Sequence, residues 1–190
     1  MPMDNFFILT GGPGVGKTTL LRALEKEGFT VVEEVARHII QEEVQKRGDA
    51  LPWANKTKYA ERMLLGSIDS FEKEQIACPH NICFFDRGIP DTLAYARMEK
   101  LDLAHELLER SSNYRYNPIV FILPPWEEIY ELDQERKQSW DEALKTYHEV
   151  QDTYIAAHYH LVEIPKTDVD SRRDFVMKTI VAAMKMKNNG

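Results

Sequence analysis

The sequence predicts an α/β fold in three layers: a five-stranded parallel sheet with helices on both faces. Three observations carry that prediction. Five short runs are apolar at nearly every position: Phe6–Leu9, Phe29–Val32, Ile82–Phe85, Ile119–Leu123 and Leu161–Ile164. Strands buried on both faces of a parallel sheet read this way, whereas a half-solvated antiparallel strand alternates. Longer stretches with apolar residues every three to four positions lie between the runs, so strands alternate with helices as in βαβ units. Finally, a chain of 190 residues, 43% hydrophobic and 29% charged, has the composition of one globular domain with a single sizeable core.

The helical stretches are taken in order. Lys17–Lys26 follows the first run and Val35–Lys46 the second. Lys56–Ala77 carries Tyr59, Met63, Leu64, Ile68 and Phe71 on one face. Asp91–Arg97 and Leu103–Glu109 follow the third run. Ser139–Ala157 carries Trp140, Leu144, Tyr147, Val150, Tyr154 and Ile155, and Asp170–Met186 carries Phe175, Ile180 and Met184. These aromatic and methionine stripes are read as core. The tail from Lys185 to Gly190 is expected to fray. No repeat, low-complexity tract or linker divides the chain, so residues 1–190 are expected to form one domain.

Composition also excludes. Acids outnumber bases 31 to 24, a formal charge of -7, which makes a general nucleic-acid binder a poor reading. No apolar run approaches the roughly 18 residues a membrane helix needs. Phe6–Leu9 is too short for a secretory signal and lacks a basic flank, so the expected compartment is the cytoplasm. Cys78 and Cys83 are the only two cysteines and cannot make a disulfide framework. Cys83 sits within Ile82-Cys83-Phe84-Phe85, where a buried thiol is the plain expectation, and a zinc reading is set aside for want of four ligands. Nothing in the sequence identifies a protein partner.

The strongest signal is Gly11-Gly12-Pro13-Gly14-Val15-Gly16-Lys17-Thr18, which fits G-x-x-x-x-G-K-[ST]. It follows an apolar strand and opens a helix, as the mechanism requires. Glycines let the backbone curl so that several N–H groups point at phosphate oxygens, and the helix adds its N-terminal dipole. Lys17 would place an ammonium on the β/γ oxygens, Thr18 would give its hydroxyl to Mg²⁺, and Thr19 completes the nucleotide-binding set. The expected architecture is therefore a P-loop NTPase fold that binds Mg²⁺ and a nucleoside triphosphate.

Asp86 ends the run Ile82–Phe85 at the C-terminal edge of the sheet, where ligands bind. It is the second expected holder of Mg²⁺, alongside Thr18. P-loop ATPases that drive motion often follow this aspartate with a water-activating glutamate; here Arg87 follows instead. The Asp-Arg pair resembles small P-loop kinases of the thymidylate and deoxynucleoside kinase groups, and the resemblance implies an arginine facing the acceptor or the transferring phosphoryl group. A planar guanidinium suits phosphate oxygens. Asp91 is read as a cap of the helix after Pro90.

Glu33-Glu34 ends the second strand and has two readings. The acids favour the positive end of the next helix, or Glu34 is a carboxylate that takes a proton from an acceptor hydroxyl or holds a ribose hydroxyl. Small nucleoside kinases carry a glutamate here. Arg37 shares a helix face with Glu34 and could orient it. Residues 124–140 form a candidate short lid, with Arg136 and Lys137 as the cations that close on the phosphates; the alternative is a solvated helix of mixed charge. Lys166-Thr167-Asp168 partly resembles the guanine-reading N-K-x-D of GTPases but lacks the asparagine, so adenine is the expected base and GTP the second choice.

Gly11–Leu20, Val31-Val32-Glu33-Glu34-Val35-Ala36-Arg37, Phe84–Tyr95, Pro125-Trp126 with Asp133 and Arg136, and Tyr159–Pro165 with Arg173 together resemble one family. It comprises the P-loop proteins related to the nicotinamide-riboside kinase domain of NadR, generically named predicted ATPases of AAA type. The resemblance runs over roughly residues 5 to 185 and implies a kinase-like fold and Mg²⁺-nucleotide binding. It names no acceptor. No adenylyltransferase half precedes the kinase-like part in this sequence, so the pyridine-nucleotide role is not carried over. The leading expectation is a small-molecule kinase moving the ATP γ-phosphoryl group to a nucleoside-like hydroxyl, with Lys17, Glu34, Asp86, Arg87 and Arg136 as its catalytic set. The alternative is an NTP-dependent switch, or an ATPase or GTPase without a small-molecule acceptor.

Overall fold

β1 (Phe6–Gly11) runs through the middle of the sheet with all six of its residues buried. β3 (Cys83–Asp86) pairs with it on one side and β4 (Ile119–Leu123) on the other. β2 (Thr30–Val32) lies outside β3, and β5 (His160–Glu163) outside β4. Every pairing is parallel, and the order is β2-β3-β1-β4-β5. The computed structural model describes residues 3–129 and 139–188. The predicted fold class is correct.

Period-two alternation along the strands divides the core in two. Phe6, Ile8, Phe85, Val120 and Ile122 face one way, onto Leu64, Ile68 and Phe71 of α3 (Lys56–Ala77) and Tyr147, Val150 and Tyr154 of α6 (Trp140–Ala156). Phe7, Leu9, Phe84, Phe121 and Leu123 face the other way, onto Leu20 and Leu24 of α1 (Lys17–Lys26) and Val176 and Ile180 of α7 (Val169–Asn188). α2 (Val35–Lys46) and α4 (Ile89–Met98) complete the first face, and α5 (His105–Ser112) precedes β4. Both faces of each inner strand are apolar because both are covered, which is why these runs do not alternate in sequence. Each fully buried Phe or Leu contributes about 1.5–3 kcal/mol relative to exposure.

Boundaries shift by a residue or two. Asp86 belongs to β3 rather than following it, and β5 starts one residue early, at His160. α4 begins at Ile89, ahead of Pro90, so the helix starts before the point assigned to it. Proline fits there because the first turn needs no N–H from it. α7 continues to Asn188, through most of the tail expected to fray. Cys78 and Cys83 are buried free thiols, and burial pushes Cys83 well above the ordinary thiol range. Among the described residues no helix is long and apolar enough to cross a membrane.

Candidate active site

The site forms where β1, β3 and β2 end and their connections leave the sheet. β1 ends at Gly11, whose φ is 141°. A Cβ there would stand 2.7 Å from the Leu123 carbonyl oxygen, so only glycine lets the chain turn this close to β4. Gly16, at φ 80°, is the cap residue from which α1 starts. Gly11 to Thr18 thus form a loop between a buried strand and a helix N-terminus, the geometry that presents backbone N–H groups to an anion. Thr18 is half-buried in the first turn of α1, and Thr19 faces solvent.

Lys17 is buried and forms an ion pair with Asp86, itself buried. Register places Asp86 beside Leu9 on β1, within reach of the loop. Burial and the Arg87 charge pull the Lys17 ammonium below its ordinary pKa, opposed by the carboxylates of Asp86 and Glu34.

Immediately after Asp86 the chain turns sharply. Arg87 has φ 71°, in the left-handed region, and its N–H donates to the Leu9 carbonyl at 3.0 Å. That conformation costs a non-glycine residue roughly 1–2 kcal/mol. It aims the guanidinium back across the strand ends, where Nε donates to Glu34 Oε1 at 2.8 Å and Nη1 lies 3.4 Å from Asp91 Oδ1. Burial works against the Arg87 charge, but Glu34, Asp91 and Asp86 outweigh it and hold the group above its usual range. Burial alone would raise Glu34; the charges of Arg87 and Lys17 outweigh that and hold its carboxyl below the ordinary value.

The two readings of the acidic pair separate. Glu33 is exposed and bridges to His38 at 3.1 Å. Glu34 occupies the cap position of α2, but its side chain makes no capping bond and instead takes Arg87. Arg37 is exposed, and its charge is a minor influence on Glu34 beside that of Arg87.

Asp91 caps α4 as expected, and does more. It does so from the first turn of α4, with Gly88 at the cap position. Its Oδ2 accepts from the Gly88 N–H at 2.8 Å and from the Tyr154 hydroxyl at 2.5 Å, and Oδ1 accepts from the Thr10 hydroxyl. The local cap is only one of its contacts; the others tie α4 to the end of β1 and to α6. Burial next to the Asp91 carboxylate drives the Tyr154 hydroxyl far above its ordinary pKa.

A cavity of about 340 Å³ opens beside these groups. Glu34, Asp86, Arg87 and Asp91 line its polar end, and Tyr59, Met63, Tyr95 and Met98 line its apolar walls. The Tyr59 and Tyr95 rings meet edge to face with centroids 5.7 Å apart.

On the loop's other side, sequence reasoning missed Arg172. This residue of α7 is 6% exposed, its Nη1 lies 3.4 Å from the Val15 carbonyl oxygen, and its guanidinium carbon is 5.6 Å from the centre of the Trp126 ring. A Cβ on Gly16 would stand 2.8 Å from Arg172 Nη1. The buried Arg172 Nε has no hydrogen-bond partner among the described residues. The only hint in sequence was the Arg172-Arg173 doublet after the last strand. Arg173 pairs instead with its neighbours Asp170 and Asp174 and with Glu27. Asp168, of the partial guanine motif, caps α7: it accepts from the Ser171 N–H at 2.9 Å and the Ser171 hydroxyl at 2.7 Å, and these bonds hold its carboxyl at about 2. Arg136 and Lys137 of the candidate lid, with Asp133, lie outside the described residues.

Comparison with known proteins agrees with this architecture. No curated protein sequence matches the chain. Among solved structures, the NadR protein in complex with NR is similar over 87% of this chain and 45% of its own, at 22% identity and a TM-score of 0.62. This chain therefore spans under half of that protein. A thymidylate kinase from Ehrlichia chaffeensis is similar over 94% of this chain and 99% of its own, at 17% identity and a TM-score of 0.60. A deoxyadenosine kinase from M. mycoides is similar over 93% and 99%, at 14% identity and a TM-score of 0.61. At these identities the likeness is one of fold. A family model described as an AAA domain matches residues 6–172. With that match running from the central strand through the phosphate loop to Arg172, the chain belongs to this AAA-domain family, and its fold is that of the kinases above.

Proposed function

We propose that the protein transfers the γ-phosphoryl group of ATP to the hydroxyl of a nucleoside-like small molecule. The observation that carries this reading is the Glu34–Arg87 ion pair at the polar end of an open cavity, next to Lys17 and Asp86. A hydrolase needs room there only for water. A cavity of this size beside the phosphate loop suits a second substrate.

In this mechanism the N–H groups of the Gly11–Thr18 loop and the Lys17 ammonium hold the β- and γ-phosphates. The oxygen donors of Thr18 and Asp86 suit a hard cation such as Mg²⁺, which when bound supplies charge neutralisation across the phosphates. An acceptor hydroxyl oxygen bonds to the γ-phosphorus as the bond from that phosphorus to the bridging β–γ oxygen breaks, and ADP leaves. Glu34, ionised at neutral pH, takes the hydroxyl proton. Arg87 holds Glu34 in place and stabilises charge on the transferring group. Arg172, whose Nη1 lies against Gly16 and whose Nε has no partner among the described residues, adds a second cation on the donor side. Asp168 is engaged in capping α7, which favours adenine over a guanine-reading role for that residue. Residues 124–140, with Arg136, form the lid in this reading.

The test is a screen of nucleosides and related hydroxyl metabolites as acceptors, scored by ADP formation against a no-acceptor control. Acceptor-stimulated turnover is the expected result. Hydrolysis that no acceptor stimulates, together with protease sensitivity that differs between triphosphate- and diphosphate-bound forms, would replace the kinase with a nucleotide switch.

A further inference from the structure

We infer that Asp91 is a positioning residue for phosphoryl transfer: its carboxylate holds the Arg87 guanidinium at a second point and so fixes the direction of the N–H groups that remain free. This rests on the kinase reading above and adds to it a residue that acts through Arg87. Capping of α4 does not account for Asp91. Asp168 does the same work for α7 while exposed to solvent, with the Ser171 N–H as its donor at 2.9 Å. The Asp91 side chain is only 6% exposed. A carboxylate is taken out of water at a cost that one backbone N–H does not offset. Its other donors are the Tyr154 hydroxyl on Oδ2 at 2.5 Å, and the Thr10 hydroxyl and Arg87 Nη1 on Oδ1. Tyr154 and Thr10 anchor the carboxylate to α6 and to the end of β1. Of its four donors, Arg87 alone belongs to the catalytic set.

A guanidinium is a rigid plane carrying five N–H groups. One bond, from Nε to Glu34 Oε1 at 2.8 Å, leaves that plane free to pivot. The contact of Nη1 with Asp91 Oδ1 at 3.4 Å is a second fixed point and removes the pivot. Nη2 has no hydrogen-bond partner among the described residues, so it is the corner left for phosphate oxygens. Ordinary helix geometry does not supply this contact. Residues four apart meet when both lie in a helix, but Arg87 precedes α4 and has φ 71°. The left-handed turn at Arg87 is what lets the two side chains meet. Strain of this kind persists where the surroundings over-determine it, and it concentrates at functional sites.

The experiment compares Asp91→Asn with Tyr154→Phe. The Gly88 N–H and Arg87 can only donate, whereas the Thr10 and Tyr154 hydroxyls can also accept. In Asp91→Asn the amide oxygen stays with the Gly88 N–H, which the backbone holds in place. The amide nitrogen then faces Arg87, donor against donor, and displaces the guanidinium. Tyr154→Phe removes an anchor and leaves the Arg87 contact. Proton–nitrogen correlation NMR of the arginine side chains, with Arg87 assigned from Arg87→Ala, reads the contact with no acceptor present. Restricted rotation about Cζ–Nη1 should resolve the Arg87 Nη protons in the parent and in Tyr154→Phe. In Asp91→Asn they should merge while the Nε–H signal persists. Free rotation in the parent, or unchanged signals in Asp91→Asn, overturns the inference. With Mg-ATP and an acceptor from the screen above, Asp91→Asn should lower kcat by about 10–100-fold, the scale of a small misplacement, with KM for ATP within about threefold. Tyr154→Phe should keep kcat within about threefold even where its thermal midpoint falls further, since it leaves the reacting geometry in place. Equal losses of kcat in the two variants make Asp91 a purely structural residue; they overturn the inference and leave the kinase reading standing. A parent that no acceptor stimulates brings down the kinase reading and the role of Asp91 in transfer with it, whatever the NMR signals show.

Discussion

Arg87 Nε donates to Glu34 Oε1 at 2.8 Å, joining the ends of two adjacent strands across 53 positions of chain. Each residue holds the other's charge and position, so the pair should act as a unit. Glu34→Gln and Arg87→Ala should each lower acceptor-stimulated turnover by about 10²–10³-fold, the order seen when a preorganised charge-stabilising group is lost. Mg-ATP affinity should stay within a few-fold, because the loop backbone, Lys17 and Thr18 make that site. The double variant should lose little more than either single one, since residues in one ion pair are not additive. Multiplying effects in steady-state kinetics would show that the two residues work independently.

The same pair sets a pH window. Arg87 and Lys17 hold the Glu34 carboxyl below its ordinary value. A carboxyl depressed on folding contributes stability that is fully present above its unfolded pKa, near about 4.3, and is lost as pH falls through the folded value. Denaturant titrations of the parent and Glu34→Gln from pH 8 to pH 3 should therefore differ by a constant amount down to about pH 5 and converge below it. Convergence that begins near neutrality would mean that Glu34 is not held by these cations.

Lys17→Ala should do two things at once. It removes the loop's side-chain cation, and it leaves Asp86 buried without its partner. Breaking a buried pair from one side costs about 3–5 kcal/mol. Mg-nucleotide binding measured by calorimetry should be lost, and the thermal midpoint should fall. Adding Asp86→Asn to Lys17→Ala should recover part of the midpoint and none of the binding. A single variant that melts like the parent would show that the pair contributes nothing to stability.

Arg172→Ala should weaken Mg-ATP binding by about tenfold, in the range of one charge-assisted hydrogen bond, without changing the acceptor KM. Gly16→Ala should be worse. Its Cβ meets the Arg172 guanidinium at 2.8 Å, and φ 80° is strained for alanine. Combining Gly16→Ala with Arg172→Ala should not restore affinity, because the backbone strain remains. Calorimetry of the three variants decides it.

Short-range pattern made much of this legible. The strand–loop–helix from Phe6 to Lys26 is local in sequence, and every part of its signal lies within about twenty residues. Asp86 and Arg87 were legible because a charged pair after an apolar strand has one plausible place, the edge of the sheet. Asp91 was read only in part: its capping bond to Gly88 is the one that spacing shows, whereas Thr10 and Tyr154 reach it from 81 and 63 positions away. Arg172 approaches the Val15 carbonyl across 157 positions, and no periodicity within α7 marks the one arginine of a doublet that turns inward. Tertiary partners of polar side chains leave little trace in a single sequence, because any exposed helix carries similar residues.

A carboxylate has room for about four donors, two on each oxygen. Asp91 has all four: the Thr10 hydroxyl and Arg87 Nη1 on one oxygen, the Gly88 N–H and the Tyr154 hydroxyl on the other. Among the described residues, Glu34 takes one donor, from Arg87, and Asp86 takes one, from Lys17. Lone-pair occupancy thus sorts three neighbouring acids that charge and position do not distinguish. The saturated one has nothing left to offer a proton or a cation and serves as a rivet between β1, α4 and α6. The two with open lone pairs flank the phosphate loop, and any chemistry done by carboxylate oxygens in this site falls to them.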